Sequence, residues 1–260
     1  MREIYEDRER RDLQERAQFL KELTAGTTEE LMSRLEEKIA KLKEEINEVS
    51  DKGQLEYGGI TSYDGDVCFE TARLLVRRPA AEDKPFFLEV KENYSYFKRT
   101  FAHDELKDGL WEDHLKPYTL YCSILRRDNS DYVGYCGIKN LYKSAWEIAI
   151  ELREEYCGKG YGYEAMTAFF DNVTGILGPH EYSSRVAVDN TASQKLMEKL
   201  GFEPFGLSEF ILHTEEEKRE AEEKYAYKID DRYKELAQRF HTTPEKLISH
   251  VLEYRKTISC

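Results

Sequence analysis

Three glycines within five residues, Gly158, Gly160 and Gly162 in the run Cys157-Gly158-Lys159-Gly160-Tyr161-Gly162, separate a predicted strand over residues 146–156 from a predicted helix over 163–173. Glycine lacks a Cβ, so such a turn can bend tightly and aim several backbone N–H groups at an anion near a helix N-terminus. The turn implies an α/β unit and points to a phosphate-bearing cofactor. Two common phosphate loops are excluded by spacing. A dinucleotide fingerprint needs glycine where Tyr163 stands; a P-loop needs glycine at Arg153 and Ser or Thr at Gly160. A packing turn without a ligand is the alternative reading.

About thirty residues later Ser183-Ser184-Arg185-Val186-Ala187-Val188-Asp189 reads as a strand. Asn190-Thr191-Ala192-Ser193 then opens a helix that Gly201-Phe202 closes. This βαβα segment resembles the GNAT superfamily of acyl-CoA-dependent N-acetyltransferases. Gly160 and Gly162 fill the glycine positions of the loop that cradles the coenzyme A pyrophosphate. Asn190, Ser193, Gly201 and Phe202 fill the second motif. Glu70-Thr71-Ala72-Arg73-Leu74-Leu75-Val76-Arg77-Arg78 is similar to the first strand of the branch that acetylates ribosomal-protein N-termini.

The resemblance covers roughly residues 68–212. It implies an α/β (α+β) fold with a mixed, mostly antiparallel central sheet flanked by helices, and acetyl-CoA as the acyl donor. The implied acceptor is a primary amine, on a small cationic molecule or a protein or peptide N-terminus. Coenzyme A would be held by Leu152, Arg153, Cys157, Gly158, Lys159, Gly160, Tyr161 and Gly162, with Asn190 and Ser193 beside the pantetheine arm. Cys157 stands where the family usually has arginine, glutamine or a large aromatic, which removes one side-chain contact and leaves the backbone cradle.

Acetyl transfer to an amine needs the amine neutral, the carbonyl polarised and a proton for the departing thiolate. Along residues 146–153 apolar and polar residues alternate, so Glu147 and Glu151 share a face. The resemblance makes either a candidate base, with Glu147 at an acidic position common in the ribosomal-protein branch; the alternative is a pair of solvent-facing or salt-bridged glutamates. Many superfamily members carry a tyrosine proton donor seven residues after the asparagine, where this chain has Met197. Ser193 is then the candidate donor, or it only caps the helix or contacts pantetheine. A noncatalytic acyl-CoA-binding sensor or assembly module is the competing function.

The flanks need their own account. Residues 1–52 read as a helical hairpin or coiled-coil-like extension, because Leu31, Leu35, Ile39, Leu42, Ile46 and Val49 form a heptad-like seam. That seam can pack on the first helix, dock on the catalytic domain, or pair two subunits as a homodimer. Residues 53–67 read as a linker and 213–260 as a C-terminal helical extension. In the latter, residues 224–229 fit strand or helix, and Leu247, Ile248, Val251 and Leu252 form a helical face after Pro244.

A formal net charge of −13 argues against nonspecific nucleic-acid binding and is compatible with a cationic acceptor. No apolar run approaches 18 residues and the first residues lack a signal peptide's apolar stretch, which predicts a cytoplasmic chain with no membrane partner. Five cysteines in no CxxC pattern, and six scattered histidines, predict reduced thiols and no metal site.

Overall fold

The computed structural model describes residues 65–95 and 101–258, together with helical residues 3, 4, 7, 8, 10, 11, 13, 14, 17 and 18. The predicted seam over 31–49 and nearly all of the predicted linker lie outside the described residues. Eight strands are β1 (Val67–Glu70), β2 (Leu74–Arg77), β3 (Leu120–Arg126), β4 (Tyr132–Ile138), β5 (Ala145–Leu152), β6 (His180–Val186), β7 (Glu203–Ser208) and β8 (Val251–Ile258). The helices among the described residues after position 65 are α1 (Lys84–Tyr94), α2 (Asp104–His114), α3 (Tyr161–Leu177), α4 (Thr191–Lys199), α5 (Glu215–Lys224), α6 (Asp231–Arg239) and α7 (Lys246–Ser249), besides short 3-10 turns.

The strands form one sheet in the order β1-β2-β3-β4-β5-β6-β8-β7. Its pairings are antiparallel except β5 with β6, which is parallel. This is the mixed, mostly antiparallel sheet expected from the sequence. The turn between β3 and β4 forms where Asp128-Asn129-Ser130-Asp131 predicts it: the Asp131 N–H donates to the Asn129 side chain at 3.1 Å.

The alternation of β5 decides what lies on each side of the sheet. Trp146, Ile148 and Ile150 join the larger core with Ala165, Met166, Phe169, Phe170 and Val173 of α3. On the opposite face Ala149 packs with Phe87 and Val90 of α1, Trp111 of α2, and Tyr135 of β4. Glu147 and Glu151 share the parity of Ala149 and point to that second side. The described residues contain no helix long and apolar enough to cross a membrane.

The C-terminal part departs from the sequence reading. Residues 226–228 form a 3-10 turn and belong to no strand. The strand that closes the sheet is β8, paired with β6 from His180↔Ile258 to Val186↔Leu252 and with β7 on its other edge. The reading of 213–260 as a helical extension is therefore corrected at 251–258: the sheet does not end at residue 212, and residues 209–250 are an excursion between two of its strands. The physical reason is ambiguity of period. Leu247, Ile248, Val251 and Leu252 satisfy helical spacing, yet α7 stops where His250 turns extended. Val251 and Leu252 are then buried on opposite faces of an interior strand, which needs no polar alternation.

The described N-terminal residues lie against this excursion. Ile4 is buried in the larger core, and ion pairs join Glu3 to Lys228 at 2.6 Å, Asp7 to Lys224, Arg8 to Glu217, and Arg11 to Glu220 at 2.8 Å.

Candidate active site

Strands β5 and β6 pair only at Ala145↔Glu181, Trp146↔Tyr182 and Glu147↔Ser183, and part beyond that point. From the splay, β5 leads toward the glycine loop and β6 toward Asn190. Gly158 and Gly160 hold φ of +72° and +83°, a conformation that strains any residue with a Cβ. A Cβ at Gly158 would meet nothing within 4 Å, so backbone conformation alone calls for glycine there. Gly162 serves packing: its Cβ would touch Ile150, Leu196 and Leu152 at 3.4, 3.5 and 3.6 Å. No side chain caps α3, so the N–H groups of its first turn are free of intrahelical partners and face an incoming anion favourably.

Arg73, which sequence reasoning did not select, braces this loop. Its Nη1 donates to the Lys159 carbonyl at 3.1 Å, its guanidinium lies 4.3 Å from the Tyr161 ring centre, and its Nε donates to Glu164 Oε2 at 2.7 Å. Thr71 Oγ1 donates to the other oxygen of Glu164 at 2.5 Å. Burial pushes the Glu164 carboxyl up, but these donors outweigh it and hold the group below the usual glutamate range.

Glu147 is 4 % exposed and forms the floor of a cavity of about 450 Å³ bounded by β5, β6, β7 and β8. Its Oε1 accepts from Lys139 at 2.6 Å and from Arg185 at 3.0 Å. Burial pushes its carboxyl up; the charges and hydrogen bonds of Lys139 and Arg185 prevail and lower it. Glu151 sits differently: Oε1 accepts from Lys91 of α1 at 3.2 Å, and Oε2 is enclosed, with no protein partner among the described residues. Only Glu147 of the two lines the cavity.

A stability prediction follows from the Glu147 network. Breaking a buried pair can cost 3–5 kcal/mol, but Lys139 and Arg185 are 41 % and 31 % exposed and recover solvation, so Glu147→Gln is expected to cost about 1–2 kcal/mol at neutral pH. Because the folded carboxyl is lowered, its contribution is full above the ordinary glutamate range and is lost as pH falls through the folded value. Thermal melts of the two proteins should differ most near pH 7 and converge on acidification. A gap that does not change with pH would contradict this.

The family model described as acetyltransferase (GNAT) domain matches residues 73–203, half of the chain. The chain belongs to the GNAT acetyltransferase family. It is an acyl-CoA-dependent N-acetyltransferase that uses acetyl-CoA as donor and an amine as acceptor. Similar solved structures include a GNAT-family acetyltransferase from Bacillus anthracis, 18% identical, covering 73% of this chain and 96% of its own, with a TM-score of 0.49. A ribosomal L7/L12 alpha-N-protein acetyltransferase is 13% identical, with coverages of 75% and 99% and a TM-score of 0.49. The spermidine/spermine N-acetyltransferase of Vibrio cholerae is 16% identical, with coverages of 72% and 93% and a TM-score of 0.47. A search of curated proteins finds no match.

Within this GNAT domain the remaining expected site residues take up distinct positions. Leu152 ends β5, and Arg153 pairs with Glu89 of α1 at 3.2 Å and with Glu155 at 3.2 Å. The exposed Cys157 thiol lies 3.2 Å from the Tyr94 hydroxyl, and burial pushes that phenol up, with the thiol adding to the effect. Asn190 caps α4, its side chain accepting the Ser193 N–H at 3.0 Å. Met197, at the position of the absent tyrosine, is 2 % exposed in the apolar core. His114 stacks on Tyr121 at 4.2 Å, and burial lowers it to about 3, so it stays neutral packing material. Sequence reasoning missed the roles of Arg73, Lys91, Lys139 and Arg185: Arg73 and Arg185 lie within the quoted segments 70–78 and 183–189, but nothing local assigns them a contact, and the pairings of the fold bring all four to the loop and the two glutamates.

Proposed function

We propose that the amine acceptor, on a small molecule or a peptide N-terminus, enters the cavity above Glu147 while acetyl-CoA enters the splay from the side of the glycine loop. The observation that carries this reading is the placement of Glu147. It is the cavity-lining carboxylate of β5, the same strand that leads to an uncapped helix start with two left-handed glycines. The residues fit the pyrophosphate: the run Gly158 to Gly162 supplies backbone N–H groups at the start of α3, and Arg73 holds the loop through the Lys159 carbonyl.

When bound, acetyl-CoA supplies the thioester carbonyl that the amine attacks. Glu147, held below the ordinary glutamate range, is charged at neutral pH and takes the amine's proton, directly or through water; its two cationic partners limit its basicity. Neutral amine must therefore come largely from the substrate's own ionisation, and the rate should rise with pH toward the acceptor's pKa. Ser193, half-buried at the first turn of α4, is the candidate proton donor to the departing thiolate. Family membership favours catalysis over a noncatalytic module despite the buried Met197.

Calorimetry with coenzyme A, paired with free-thiol release from acetyl-CoA across amines and peptides, tests the reading. Saturable binding and amine-dependent thiol release are expected. Folded protein that neither binds coenzyme A nor releases thiol would refute it.

A further inference from the structure

The cavity over Glu147 also carries chemistry that bears on which amine is accepted, an inference that rests on the function proposed above. Its charged lining residues are Lys143, Arg185, Arg255, Glu147, Glu209 and Glu253, three of each sign. The carboxylates are committed. Glu147 takes Lys139 and Arg185, Glu253 takes Arg255 at 2.8 Å and the Ser208 hydroxyl, and Glu209 takes Lys218.

Two of the cations keep donors that these pairings do not use. Lys143 lies 3.9 Å from the nearest Glu147 oxygen, beyond a hydrogen bond. Arg185 spends Nε on Glu147 and makes a long 3.4 Å contact from Nη1 to the Glu209 carbonyl, which leaves Nη2 without a protein partner among the described residues. Its guanidinium lies 5.7 Å from the Phe210 ring centre, which limits its swing. The charged donors left over in the cavity are therefore those of Lys143 and Arg185, beside the lining serines Ser144 and Ser183. The six charged residues of the cavity balance, so they contribute nothing to the chain's net charge of −13.

We propose that the acceptor carries a carboxylate close to its amine, that Arg185 and Lys143 bind this carboxylate, and that the amine is thereby directed toward Glu147. A free amino acid and a peptide N-terminus followed by acidic residues share this chemistry. A charge-assisted contact of this kind at a partly exposed site corresponds to about tenfold in affinity.

The test is steady-state thiol release with matched acceptors: serine against serinamide, the C-terminally amidated peptide Ser-Asp-Glu against amidated Ser-Asn-Gln, and spermidine as a carboxylate-free amine. Higher kcat/KM for a carboxylate-bearing partner, by about tenfold, supports the proposal, and the pair that shows it tells amino acid from peptide. Arg185→Gln also removes a partner of Glu147, so its effect on the base is common to both acceptors; KM for the carboxylate-bearing acceptor should rise about tenfold more than KM for its neutral partner, with coenzyme A affinity unchanged. Lys143→Gln, on an exposed side chain, should act the same way more weakly, and it decides the matter if the arginine variant does not fold. Turnover that favours the neutral partners or spermidine overturns the carboxylate proposal and leaves the acetyltransferase standing; failure to bind coenzyme A at all removes both.

Discussion

Glu147→Gln is expected to lower kcat by on the order of 10²- to 10⁴-fold at saturating acetyl-CoA, the usual contribution of a positioned general base, while Glu151→Gln costs less than about tenfold. The difference rests on access. Glu147 lines the cavity at the point where β5 and β6 part, whereas Glu151 is engaged by Lys91 on one oxygen and enclosed on the other. The glutamine keeps its carbonyl toward Lys139 and Arg185, so the fold should persist with a modest fall in melting temperature, and circular dichroism together with coenzyme A affinity separates that loss from the chemical one. The pH–rate profile adds a second readout. Since Glu147 is held below the ordinary glutamate range, the acid limb near neutrality should follow the pKa of the amine acceptor and move when the acceptor is changed. Unchanged kcat in both variants would move catalysis to substrate positioning.

Gly160→Val is expected to weaken coenzyme A binding by about 5- to 150-fold, with most of the fold intact. At φ +83° a β-branched residue is strained by about 1–3 kcal/mol, and its Cβ would meet Arg73 Nη2 at 3.4 Å. The free loop can escape by relaxing to negative φ; binding must then restore the strained form and bears that cost as lost affinity. Gly158→Ala is the matched comparison, since its Cβ meets open space and only the conformational cost remains. Calorimetry should place it between the parent and the valine variant. Equal affinity for all three would mean that the loop's conformation does not matter to the cofactor.

How far the sequence carries depends on whether a feature is local. The loop was legible because left-handed backbone at Gly158 and Gly160 demands glycine in the chain itself. The start of α4 was legible in the same way, through the Asn190 cap, and so was the β3–β4 turn. The shared face of Glu147 and Glu151 follows from strand alternation, and the register of β5 against β4 agrees with it. The strand β8 was not legible, because four apolar residues from Leu247 to Leu252 satisfy helical spacing and the pairing that overrides it comes from β6, far back in the chain. The partners of the site residues escaped for a related reason. Nothing near Arg185 in sequence marks it as the ligand of Glu147, and nothing near Arg73 marks it as the brace of a loop that arrives much later.

The interior position of β8 also sets an order on the making of the protein. Among the described residues, β7 pairs only with β8, and β6 without β8 has just three paired positions on β5. As the chain is synthesised from its N-terminus, β6 and β7 must therefore wait, edges unpaired, through the whole of residues 209–250. Both are vulnerable during that interval to wrong partners such as the edge of another nascent chain. Completion of the splay proposed to receive the acyl donor is thus tied to arrival of the closing strand, so a shortened or frayed product should lack donor binding as well as stability. The helical excursion doubles as a timer: its length fixes how long the half-built sheet stays open.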